Sequence, residues 1–160
     1  MKSETVLQRQ SCQLIQEAAE EFCRLRMDLF RELGELCQGT DVPGLERATE
    51  RYYLEHIGKD LFAWGIFFGG KLRAAAALCL FSRLPYAGNF AGAEGYLLSV
   101  YTAPEYRRRG VVEEILDRVL AFSRERGLRR VWLSSSDQGR ALYASRGFLP
   151  RGGEMERILE

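Results

Sequence analysis

The feature that most limits the fold is a change of hydrophobic period near residue 60. "LFAWGIFF" and "KLRAAAALCLFS" are runs of strand-forming residues joined by the pair Gly69-Gly70. Two adjacent glycines supply the left-handed backbone that a two-residue hairpin turn requires, so the stretch predicts two antiparallel strands. The alanines at 74–77 favour helix by propensity, whereas the turn and the short length favour strand. Upstream the period is helical. "CQLIQEAAEEFCRLRMDLFRELGELC" carries Leu14, Ile15, Ala18, Ala19, Phe22, Leu25, Leu29, Leu33 and Leu36 at i, i+3, i+4 spacing, which predicts one long core-facing helix interrupted near Gly34. "VPGLERATERYYLEHIGKD" predicts a second helix, with Pro43 near its start and Gly58 near its end.

Downstream of the hairpin the elements alternate. "RLPYAGNFAGAEG" predicts a mobile loop, "YLLSVYT" a strand, and "VVEEILDRVLAFSRERG" an amphipathic helix entered through "APEYRRRG". "LRRVWLSSS" predicts another strand. "DQGRALYASRG" predicts a short helix capped by Asp137 and ended by Gly147, and "FLPRGGEMERIL" a closing hairpin. Repeats, linkers and low-complexity tracts are absent, so residues 1–160 are expected to form a single domain.

Composition narrows the function classes. With 23 Lys plus Arg against 22 Asp plus Glu, the chain has no global field to recruit nucleic acid or an anionic membrane, so basic chemistry must be local. Cys12, Cys23, Cys37 and Cys79 lack C-x-x-C spacing, and His56 is the only histidine, which argues against a metal centre and for reduced thiols. The N-terminal segment lacks a signal-peptide apolar region, and no run approaches the ~18 apolar residues of a membrane span. A cytoplasmic location is expected.

The local basic feature is "YRRRGVV". A strand that turns directly into a helix presents free N–H groups and the positive end of the helix dipole, where an anion can sit. Gly110 leaves room for close approach to the backbone, and Arg107, Arg108 and Arg109 supply charge-assisted contacts suited to a phosphate. Taken alone, three arginines also read as a solvated helix entrance. Arginines at a helix N-terminus oppose the dipole, however, and that local cost favours a bound anion.

"SVYTAPEYRRRGVVEEIL" resembles motif A of the GNAT N-acetyltransferases, in which a strand, an R/Q-x-x-G-x-G/A segment and a helix hold the pyrophosphate of acetyl-CoA. Val112 departs from the pattern by standing where the family usually has Gly or Ala. "SDQGRALYASRGF" is similar to the family's motif B, with Tyr143, Gly147 and Phe148 in place and Ser136 where many members have Asn. The resemblance implies an α/β (α+β) fold with a central, mixed, mostly antiparallel twisted sheet flanked by helices. It implies acetyl-CoA as acyl donor, with no metal, and acetyl transfer to a primary amine by direct attack in a ternary complex. The cofactor-binding residues it implies are Val100, Tyr101, Thr102, Arg107, Arg108, Arg109, Gly110, Val111, Val112, Glu113 and Ser136. An N–H near Val100 would face the oxyanion, and Tyr143 would donate a proton or a hydrogen bond to the departing thiolate.

Amine attack requires a neutral nucleophile, which for a group of pKa near 10.4 costs roughly 4 kcal/mol at pH 7 unless a base assists. Glu94, Glu105 and Tyr96 are the candidates, and each also reads as an ordinary surface or core residue. For the acceptor, Tyr52, Tyr53 and His56 in the second helix and Tyr86, Asn89 and Phe90 in the loop are candidates, although aromatics at helical spacing are more often core. The acceptor is left open among a small amine, an amino acid, a drug and a protein, and a homodimer is allowed. Two other classes fit parts of the sequence: a catalytically silent acyl-CoA sensor, and a nucleic-acid-binding module built on the arginine triplet. Near-zero net charge weighs against the second.

Overall fold

The computed structural model describes residues 8–159. Five strands form one sheet in the order β1 (Arg9–Gln13), β2 (Leu61–Phe68), β3 (Lys71–Ser82), β4 (Ala93–Thr102) and β5 (Val131–Trp132). The first four are antiparallel to their neighbours, and β5 runs parallel to β4. Helices α1 (Ala19–Leu33) and α2 (Val42–His56) belong to one side; α3 (Val111–Glu125) and the short α4 (Arg140–Ser145) belong to the other. The expected mixed, mostly antiparallel sheet flanked by helices is therefore present.

Gly69 and Gly70 turn the β2–β3 hairpin at φ +58° and +78°, the pair of left-handed residues that a tight turn matching strand twist requires. The alanine run is strand. Ala74 and Ala76 (both 0 % exposed) face α3, while Ala75 and Ala77 (both 2 %) face α1 and α2. Burial on both faces overrides helical propensity, because small side chains let both helical layers approach the sheet. The core is accordingly split in two. Phe22, Leu25, Tyr53 and Leu61 fill one side, and Phe62, Trp64, Ile115, Leu116 and Val119 the other.

The long first helix is shorter than its hydrophobic pattern suggests. Cys12 and Gln13 belong to β1, which pairs with β2 from Arg9↔Phe68 to Gln13↔Trp64, and a 3-10 turn at Gln16–Ala18 precedes α1. Main-chain pairing at the sheet edge outweighs a polar stretch's weak helical periodicity there. α1 then ends at Leu33, with Gly34 as its left-handed cap, so Leu36 lies beyond it. α2 starts where expected, with Asp41 accepting the Gly44 N–H at 2.9 Å.

Three other expectations are corrected. Asp137 does not cap α4; it is exposed and pairs with Arg140 at 3.6 Å, while Ser136 Oγ accepts the Gly139 N–H at 3.2 Å. The run "LRRVWLSSS" contributes only Val131 and Trp132 to the sheet. The closing hairpin is absent: residues 149–159 are irregular, with Met155, Ile158 and Leu159 at 98 %, 78 % and 81 % exposure. The loop at 83–92 is tied down from inside. Buried Asn89 donates to Ala93 O at 2.9 Å and accepts from Gly92 N, and Tyr86 donates to fully buried Glu94 at 2.6 Å.

Candidate active site

The site is built on β4, where two irregularities coincide. On the β3 side, Ala75 pairs with Tyr101 and Ala77 with Leu98, so Ser99 and Val100 together oppose the single residue Ala76. Ser99 takes φ +55° to make this bulge, a left-handed conformation that a non-glycine residue adopts at a cost. On the other side, β5 pairs only with Gly95 and Tyr96. From Leu97 to Thr102 the edge of β4 facing β5 has no strand beside it among the described residues.

The bulge interrupts the strand's alternation, so that adjacent Leu98 and Ser99 both face the α1–α2 layer before Val100 returns to the other. Val100 packs with the α3 cluster, whereas Ser99 lines a cavity of about 350 Å³ on the α1–α2 side. That cavity is bounded by Phe22 and Arg26 of α1, Tyr52 and Tyr53 of α2, Cys79 of β3, and Ser99. Burial pushes the Tyr52 phenol up to about 12, reinforced by Cys79 and Asp60. Burial likewise raises the phenol of Tyr53, whose hydroxyl donates to Ile15 O at 2.9 Å, and the thiol of Cys79. These groups stay protonated near neutrality.

β4 passes through a 3-10 turn at Pro104–Tyr106 into the entrance of α3. Arg108 lies at φ +60° and Gly110 at φ +70°, with Arg109 between them at negative φ. Such alternation curves a chain so that consecutive N–H groups converge on one concavity. From Arg108 to Glu113 these N–H groups donate to no protein acceptor among the described residues, and α3 has no side-chain cap; the Glu114 N–H is the first to return, to Gly110 O at 3.2 Å. A Cβ built on Gly110 meets nothing within 4 Å, so the glycine is required by its backbone angle and the space beside it is open. A row of free donors at the positive end of a 15-residue helix fits a phosphate-bearing ligand.

The arginine triplet divides. Arg107 donates to Thr102 O at 2.9 Å and to Glu32 of α1 at 2.5 Å, and its guanidinium lies 5.5 Å from the centre of the Tyr101 ring. The Glu32 hydrogen bond is the main reason its pKa rises. It ties the β4–α3 junction to α1. Arg108 and Arg109 are exposed and pair with no carboxylate among the described residues; Arg109 lies over Tyr106 at 5.5 Å.

The remaining expected residues fall as follows. Tyr101 (8 %) and Thr102 (5 %) have buried side chains, so only their backbone faces the open edge. Val111 (2 %) is the core residue of the first α3 turn; Val112 is half-buried against the same cluster, and Glu113 is half-buried beside it. Ser136 is committed to the turn before α4. Tyr143 packs its ring edge-on against Phe148 at 5.9 Å within the cluster that includes Val100 and Val112. Its hydroxyl has no hydrogen-bond partner among the described residues, and burial raises its pKa.

The expected bases do not line the cavity. Glu94 is locked by Tyr86 and by Arg130 at 3.3 Å, Glu105 is exposed in the 3-10 turn, and Tyr96 packs on Trp132 at 4.5 Å. Among the acceptor candidates, Tyr52 and Tyr53 line the cavity. His56 stacks on Tyr52 at 4.1 Å and lies 2.7 Å from Asp60. Tyr86 and Asn89 hold the loop, and Phe90 is 83 % exposed. Arg26, Cys79 and Ser99 were not anticipated. Arg26 carried a signal, since a cation four residues after Phe22 and three before Leu29 interrupts the apolar stripe.

The fold is shared with known acetyltransferases. A crystal structure of a predicted acetyltransferase with acetyl-CoA from Clostridium acetobutylicum superposes with a TM-score of 0.86 at 22% identity, covering 94% of this chain and 96% of that one. A GCN5-related N-acetyltransferase from Ralstonia eutropha JMP134 gives 0.83 at 25% identity, covering 94% and 99%. The aminoglycoside N-acetyltransferase AAC(6')-Iy in complex with CoA gives 0.68 at 17% identity, covering 96% of this chain and 93% of that one. No curated protein matches the chain in sequence. The family model "Acetyltransferase (GNAT) family" matches residues 17–148, spanning both helical layers, the bulged strand and α3's donor row, and the chain belongs to that family.

Proposed function

We propose that the chain is an acetyl-CoA-dependent N-acetyltransferase that acetylates a primary amine by direct attack in a ternary complex, within a single cytoplasmic domain spanning residues 1–160. The observation that carries this reading is the row of free N–H groups from Arg108 to Glu113 at the entrance of α3, beside the unpaired edge of β4. The donor supplies its acetyl group as a thioester. The free N–H groups, with Arg108 and Arg109, would hold its pyrophosphate, and the β4 backbone from Val100 to Thr102 would take the pantetheine as an added strand.

The chemistry then falls at the bulge. The β4 bend separates the donor side from the α1–α2 cavity, so an amine in the cavity approaches the carbonyl across Ser99 and Val100. Backbone N–H groups freed by the bulge polarise that carbonyl as the C–N bond forms and the C–S bond breaks. Tyr143 assists the departing sulfur. Reference pKa values near 10 for the phenol and 8.5 for a thiol already make full proton transfer uphill by ~2 kcal/mol. Burial raises the phenol further, so the role supported is hydrogen-bond donation. No carboxylate lines the cavity among the described residues, and the amine's proton is therefore assigned to solvent at the cavity mouth.

Calorimetric titration with acetyl-CoA, followed by a free-thiol release assay over an amine panel, tests the reading. Binding with thiol release is the expected result. Binding without release would make the chain an acyl-CoA sensor, and absence of binding would reject the donor site.

A further inference from the structure

The acceptor cavity carries one fixed charge. Arg26 is the only ionised side chain lining it, and no Asp or Glu lines it among the described residues. The guanidinium is half-buried and stacks over Phe30 at 4.5 Å, which fixes its plane while leaving its N–H fork unused. Among the described residues it neither hydrogen-bonds nor approaches a carboxylate within 4.0 Å, whereas Arg24 and Arg31 of the same helix both have acidic partners. Burial lowers its pKa, only partly offset by Cys79 and Glu35. It remains charged, because an arginine starts far above neutrality.

A partly desolvated cation without a partner is costly unless something arrives to neutralise it. The protein groups around it cannot. Tyr53 donates to Ile15 O, Thr49 donates to Leu45 O at 2.8 Å, and Tyr52 and Cys79 stay neutral. A purely cationic acceptor would be repelled by Arg26 and would touch no carboxylate in the lining, since Glu35 and Asp60 act on the lining groups from outside it. The volume, about 350 Å³, is at the small end of the roughly 300–1,000 Å³ of small-molecule sites, which fits a metabolite-sized acceptor.

We infer that the acceptor bears an oxyanion, a carboxylate or a phosphate, as well as its amine, and that Arg26 grips that oxyanion while the amine reaches Ser99 at the bulge. The inference rests on the acetyltransferase reading and adds the substrate class: small zwitterionic amines. Arg26 is thus a specificity residue separate from the donor site, which lies at the α3 entrance.

The test compares matched pairs: amino acids against their carboxamides, and aminoalkyl phosphates against the corresponding amino alcohols. In the parent protein, one acidic series should exceed its neutral partners in kcat/KM by roughly ten- to hundredfold, the usual worth of a charged hydrogen bond. The series that does so distinguishes carboxylate from phosphate. Arg26→Gln should erase that ratio through KM, leaving acetyl-CoA affinity and melting temperature near the parent's, and Arg26→Lys should retain part of it. Equal loss on both members of each pair, or a parent preference for the neutral members, overturns the inference while leaving the transferase reading intact. Failure to bind acetyl-CoA removes both. Where acetyl-CoA binds and no amine turns over, thermal shifts with the same pairs decide: acidic members must stabilise the parent and not Arg26→Gln, and absence of that difference overturns the assignment.

Discussion

Gly110 separates two effects that most site mutations confound. Its backbone is left-handed, at φ +70°, and a Cβ added there meets nothing within 4 Å. Gly110→Ala therefore carries no steric penalty, only the strain of a left-handed non-glycine residue, about 1–2 kcal/mol. Gly110→Asp has the same Cβ, but a short polar side chain tolerates this conformation better, and a carboxylate at the start of α3 gains about 0.3–1 kcal/mol from the helix dipole. The aspartate variant should thus be at least as stable as the alanine variant, both within roughly 2 kcal/mol of the parent, or a few degrees in melting temperature. Ligand affinity should run the other way. The carboxylate occupies the concavity lined by the N–H groups of Arg108–Glu113 and competes with a phosphate for them. Two negative charges about 6 Å apart at an effective dielectric near 20 repel by about 3 kcal/mol, and salt reduces this to no less than about 1.4 kcal/mol, or tenfold in Kd. Calorimetry with acetyl-CoA and with acetyl-pantetheine, which lacks the pyrophosphate, reads the result. Stability in the order Asp ≥ Ala combined with acetyl-CoA affinity in the order Ala > Asp is expected, with acetyl-pantetheine indifferent. A folded Gly110→Asp protein that binds acetyl-CoA as tightly as the parent would refute the phosphate cradle.

The three other predictions address neighbouring groups. Replacing Arg108 and Arg109 together by Ala should weaken CoA more than pantetheine, with equal losses ruling out phosphate contact; Arg107→Ala should change ligand discrimination little, because that side chain is spent on Glu32 and Thr102. Val112→Ala should lower stability by about 1 kcal/mol, as expected for a half-buried valine on the α3 cluster, and a higher melting temperature in the variant would show instead that Val112 crowds the cleft. Tyr143→Phe keeps the ring against Phe148 and should leave acetyl-CoA affinity within a few-fold while lowering turnover by roughly 10². Since burial raises the phenol pKa, Tyr143 stays protonated and donating through neutrality, so the parent's rate should not fall through phenol ionisation until pH exceeds the ordinary tyrosine value near 10; unchanged turnover in Tyr143→Phe would leave it as packing.

What could be read from the sequence follows how local each cause is. The β2–β3 hairpin was legible because two glycines determine the turn by themselves, and α3 because its apolar stripe and the glycine before it lie within one stretch. The donor row at its entrance was legible for the same reason: free N–H groups are a property of any helix start. β1 was not, since "RQSCQ" has no strand pattern of its own and becomes strand by pairing with β2. The bulge is still less local. Ser99 is the polar residue at the middle of "YLLSVYT", yet its left-handed backbone results from Ala76 facing two residues while Tyr101 and Leu98 keep their partners on β3. Its consequence is larger than its length, for without the extra residue strict alternation would turn Ser99 to the α3 side, and Leu98 and Ser99 could not both line the cavity. Arg26 shows the intermediate case. Its place on the apolar stripe was visible, but its lack of a partner depends on which carboxylates α1, α2 and the sheet bring near, and that is decided only when the two helices close over the same face. On the proposed reading, substrate choice in this chain therefore sits where sequence patterns are weakest, while donor binding sits where they are strongest.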